Sequence, residues 1–154
     1  MSIWKVSRPS HALSTTADSI TIDVPAGRTL RLLGAKVIGM ASAAASGAEL
    51  GIFRVSTNGS GGTPTSLVLK PVDANPDGLS VPSGFTARYG LGTQPTLEAD
   101  PVVRLAFQPL GGQDRETPIP GAEAEFWKAT AHQVSIRSIS GTPNAAIELT
   151  LELK

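Results

Sequence analysis

Apolar and polar residues alternate with a period of two along most of the chain, the pattern of a strand with one buried and one wet face. The C-terminal stretch shows it best: Ile147, Leu149, Leu151 and Leu153 alternate with Glu148, Thr150, Glu152 and Lys154. Ile20, Ile22 and Val24 alternate with Ser19, Thr21 and Asp23, and Val103, Leu105 and Phe107 with Arg104, Ala106 and Gln108. Val134 and Ile136 alternate with Ser135 and Arg137 until Ile139 breaks parity, which predicts a bulge or a strand end there. A long apolar stretch from Thr29 to Met40 changes phase around Leu33-Gly34. Further strands are expected over 50–56, 66–70, 85–89 and 125–129, with Trp4 and Val6 opening another.

Between these runs lie dense turn signals: Pro25-Ala26-Gly27, Asn58 to Gly62, Asn75 to Gly78, Leu110-Gly111-Gly112 and Ser140 to Pro143. The Ala-rich segment 40–48 is the one helical candidate, and its Ser and Gly content predicts a loop or a single turn. Residues 109–125 carry little pattern and read as a surface loop. Many short strands separated by Gly/Pro turns predict an all-β fold, a jelly-roll β-sandwich of about eight to ten antiparallel strands. The chain reads as one domain, residues 1–154, with 1–9, which ends at the breaker Pro9, read either as an N-terminal arm or as the first strand of the sandwich.

Composition narrows the function. With 13 Lys+Arg against 13 Asp+Glu the formal charge is zero, so the basic excess that drives phosphate binding is missing and no nucleic-acid partner is expected. No apolar run approaches the ~20 residues of a membrane span, and no membrane partner or secretory leader is read. Cysteine is absent, which removes disulfides, thiolate metal sites and a cysteine nucleophile.

The two histidines, His11 and His132, are too far apart in sequence to form a metal motif by spacing, and no Gly-x-Ser-x-Gly elbow accompanies them. His132 reads as a surface or strand-end residue. Asp73 to Gly78 matches the first half of a calcium loop, but the twelfth position is Gly84 where a bidentate Glu should close the cage. The segment is read as a turn. Glu98 with Asp100 and Glu123 with Glu125 are acid pairs read as solvated charge, and the Gly-rich stretches lack phosphate-loop endings. No enzyme, cofactor or metal site is expected.

The seven aromatics include Phe53, Phe85 and Phe107 inside strand patterns, where they read as core. Trp4 and the pair Phe126-Trp127 remain as contact candidates. Adjacent strand residues face opposite ways, so one of that pair points outward. With Lys5 and Arg8 of the arm, the candidate interface residues are Trp4, Lys5, Arg8, Phe126 and Trp127.

Three stretches carry a resemblance: Arg31 to Gly34, Glu49 to Ser56 running on through Asn58 to Thr65 and Leu69 to Asp73, and the ending Ile147 to Glu152. They resemble capsid decoration (cement) proteins of tailed bacteriophages, built on a jelly roll of the tumour-necrosis-factor type. The resemblance implies a virion structural protein, made in the bacterial host cytoplasm, that sits on the capsid exterior. Its implied partners are the major capsid protein lattice and itself, as a homotrimer. The alternative is a carbohydrate- or receptor-binding jelly roll of a tail appendage, against which the scarcity of aromatics weighs.

Overall fold

The computed structural model describes residues 2–43, 46–72, 80–118 and 121–154. Among these there is no helix, and every strand pairing is antiparallel. One sheet contains β1 (Ile3–Ala12), β3 (Thr29–Gly39), β6 (Lys70–Pro71), β10 (Gln113–Glu116), β11 (Ala124–Trp127) and β13 (Asn144–Leu153). The other contains β2 (Ile20–Val24), β4 (Ala48–Thr57), β5 (Ser60–Leu67), β7 (Thr86–Thr93), β8 (Thr96–Leu97), β9 (Val103–Phe107) and β12 (His132–Ser140). The first has the order β6-β1-β13-β3-β10, with β11 also on β3; the second runs β5-β7-β2-β12-β4-β8, with β9 also on β4.

The inward faces follow the alternation. Leu30, Leu32, Ile147, Leu149, Leu151 and Leu153 from the first sheet meet Ile20, Ile22, Leu50, Ile52, Val134 and Ile136 from the second in one buried cluster. The phase change at Leu33-Gly34 is a bulge: Thr150 pairs with Gly34 and Leu151 with Leu32, so Leu33 has no partner on β13. A second register shift lies between Ser138 and Ser140, where Ile139 breaks parity.

Three expectations need correction. There are thirteen strands among the described residues, not eight to ten, because β5, β8 and β10 lie at sheet edges and are largely exposed, without a buried face to impose alternation. The stretch 109–125 is not one loop: β10 and the start of β11 both pair along the free side of β3. Finally, residues 3–12 do not project as an arm. β1 is bonded to β13 along most of its length and to β6 on its other side, so its backbone groups are used inside its own sheet.

Candidate interaction surface

Trp4 faces inward from β1 and is 1% exposed, so it belongs to the core and not to an interface. Its neighbour Lys5 faces out and pairs with Glu148 across the ladder, Nζ to Oε1 3.1 Å. Arg8 is half-buried. Its guanidinium lies 3.6 Å from the centre of the Tyr89 ring and donates through Nη1 to the Ser19 carbonyl at 2.7 Å. Burial lowers its pKa, with Tyr89 opposing. Arg8 is thus spent on tying β1 to the opposite sheet and offers little to a partner.

Phe126 and Trp127 behave as strand parity requires. Phe126 is 2% exposed and lies under the Arg54 guanidinium, 5.3 Å from the ring centre, while Trp127 is 59% exposed. Trp127 stands opposite Thr29, and the next row on that face is Glu125, Arg31 and the buried Glu152. Arg31 bonds Glu125 (Nε to Oε1 2.8 Å) and approaches Glu152 at 3.3 Å, and the pKa of Arg31 is raised, chiefly by the bond to Glu125. The indole therefore projects beside a row of paired charges. Such an amphipathic ring next to charge is a common anchor of protein interfaces.

The acid pairs and histidines are not brought together. Glu98 and Asp100 lie at the edge of the second sheet, whereas Glu125 is held by Arg31 and Glu123 accepts from the Gly121 amide. His11 Nδ1 donates to the Pro9 carbonyl (2.8 Å), leaving Nε2 to accept from Ser19 Oγ (3.0 Å). His132 is a strand-end residue but is buried, not on the surface as expected. Its Nδ1 lies 3.3 Å from the Thr130 carbonyl, and its Nε2 has no partner among the described residues. It borders a void of about 10 Å³ with Arg54, Phe126 and Gln133, room for about one water. Burial lowers the pKa of both rings. No His/Asp/Glu group suited to a metal forms among the described residues; the turn Asp73 to Gly78 lies outside them.

No protein family, curated relative or solved structure matches this chain.

One polar centre was not visible in the sequence. Asp18, just ahead of β2, is 5% exposed. Its carboxylate accepts from Thr21 Oγ1 at 2.7 Å, Arg137 Nε at 2.8 Å and Ser135 Oγ. Its amide donates to Gln94 Oε1, and Arg137 Nη2 donates to the Pro95 carbonyl. The cluster joins β2, β12 and the connection between β7 and β8 on the outer side of the second sheet. Burial raises the Asp18 pKa, against the lowering by its hydroxyl and guanidinium donors. Every carboxylate oxygen is used internally, so the centre is a structural tie.

Proposed function

We propose that this protein is a virion structural component that decorates and stabilises an assembled bacteriophage capsid shell, as a ring of identical subunits. The observation that carries the reading is the strand order. β1, β13, β3 and β10 face β2, β12, β4 and β9, and the chain crosses between the sheets at each step from β1 to β4. That order supports the jelly roll implied by the resemblance. The insertion of β5 to β7 adds β5 and β7 to the second sheet and β6 to the edge of the first.

The neutral charge and the single well-exposed indole, Trp127, suit a subunit that binds through several modest contacts at once. A multivalent ring on a lattice gains from the high effective concentration of its second and third contacts. Co-sedimentation with empty shells and, separately, with unassembled coat subunits tests this. Strong retention by shells and weak binding to subunits is the expected result; equal binding to both, or none to shells, would sink the proposal. Trp127 also supports a second reading, a glycan platform, since a flat exposed ring can stack on sugar; specific hits on a glycan array without shell binding would favour it.

A further inference from the structure

The outer face of the first sheet carries an uncompensated cationic pair. Arg115 on β10 stands directly across from Lys36 on β3, and Lys36 directly across from Glu148 on β13. Glu148 is already engaged by Lys5. Among the described residues neither Lys36 nor Arg115 has a carboxylate within ion-pairing distance. Like charges directly opposite on neighbouring strands destabilise the pair, so the isolated chain leaves this repulsion standing. The two cations border an open depression of about 350 Å³ together with Lys5, Glu148, Gly34, Thr117 and Thr150, so that three cations and one carboxylate line it. Gly34 and Thr150 face each other across the ladder, and their small size makes the hollow.

The second sheet presents the opposite charge at its edge. β8 and β9 both pair along the free side of β4, and residues 98–102 leave that side between them. Two backbone bonds hold the excursion, Glu98 N to Arg54 O at 2.9 Å and Val102 N to Ile52 O at 2.7 Å. Its carboxylates, Glu98 and Asp100, are exposed and have no cation within ion-pairing distance among the described residues. The excursion bends at Ala99 and Asp100 and leaves both carboxylates in solvent at the sheet edge, opposite in sign to the cationic pair.

We propose that Glu98 and Asp100 of one copy seat against Lys36 and Arg115 of the next, forming the contact between subunits. The groove and the excursion are different surfaces, so the contact is heterologous and repeats head to tail until it closes into a ring. A second copy is the occupant because one chain carries both halves, and its zero net charge lets copies approach without overall repulsion. The inference rests on the oligomeric part of the function proposed above and is independent of the shell.

Sedimentation velocity of the full chain at low salt, without shells, tests it. The wild type should associate, with affinity falling at least about tenfold between 0.05 and 0.5 M NaCl as exposed charge is screened. Lys36→Glu/Arg115→Glu and Glu98→Lys/Asp100→Lys should each be monomeric while melting like the wild type, and the fourfold reversal should associate again. The milder pair Lys36→Gln/Arg115→Gln gives the same reading if a reversal misfolds. A wild type that stays monomeric, reversed variants that still associate, or a folded fourfold variant that does not would each overturn the contact. A wild type that is monomeric yet sediments with shells would overturn this contact and leave decoration standing; a ring that ignores shells would do the reverse.

Discussion

Replacing Asp18 by Ala tests the polar tie between the strands and the β7–β8 connection. The change removes the acceptor of Thr21, Ser135 and Arg137 at once. Thr21 and Ser135 are fully buried, and the Arg137 side chain is 11% exposed. Breaking a buried pair from one side costs about 3–5 kcal/mol, because a charge is left without compensation. Two orphaned hydroxyls push toward the upper end of that range, at about 1–3 kcal/mol each before relaxation. At roughly 2–4 °C per kcal/mol for a domain of this size, the midpoint should fall by roughly 8–20 °C in a thermal melt followed by circular dichroism. Removing both charges in Asp18→Ala/Arg137→Met should recover most of the loss, since replacing a whole buried pair by apolar groups is often near neutral. A single Asp18→Ala variant melting within about 2 °C of wild type, or a double variant no better than the single, would refute the reasoning.

Leu151 is 0% exposed on the central strand β13, facing Trp4 and Leu32; Leu151→Ala should cost about 2–5 kcal/mol in urea unfolding, and Leu151→Asp should yield no cooperatively folded protein. At Gly39 a Cβ would run into the carbonyls of Gln108 and Pro109, which are backbone and cannot swing away, so Gly39→Ala should lower the midpoint of thermal unfolding while Gly47→Ala, where a Cβ meets only the Phe107 carbonyl at 4.0 Å, should not. Because the folded-state pKa of His132 lies below the usual value of about 6.5, the unfolded chain takes up that proton first, and stability should fall as pH drops below about 6.5. His132→Gln should flatten that part of the pH profile. Asp18 has the opposite sign: its raised pKa means that its contribution declines as pH rises from about 4, so the advantage of wild type over Asp18→Asn should be larger near pH 4 than at pH 7.

Where a buried face imposed alternation, the chain could be read directly. The runs around Ile20 to Val24, Val103 to Phe107 and Ile147 to Leu153 are strands, and even the bulge at Leu33-Gly34 left a mark, as a change of phase. Edge strands leave no such mark. The start of β5 falls in the stretch Asn58 to Gly62 that reads as a Gly-rich turn, because its side chains are wet on both faces, and Gln113 to Glu116 is a row of charged and polar residues paired with β3 through its backbone. The N-terminus misled for a different reason. Lys5 and Arg8 look like an exposed basic arm, yet Lys5 is compensated by Glu148 and Arg8 by Tyr89, partners distant in sequence. The tie at Asp18 was hidden likewise, since its members lie on β2 and β12 and each alone resembles an ordinary polar strand residue. The surface pairing of Lys36 with Arg115 depends on the register of β10 against β3, which spacing along the chain does not reveal.

The claim that this protein stabilises an assembled shell is tested most directly by calorimetry of empty shells with and without saturating protein. Binding that favours the assembled lattice over free subunits must raise the temperature at which the shell comes apart. The account predicts an upward shift that grows with added protein until the sites are filled. A shell transition that stays where it was, with the added protein melting as it does alone, would contradict it.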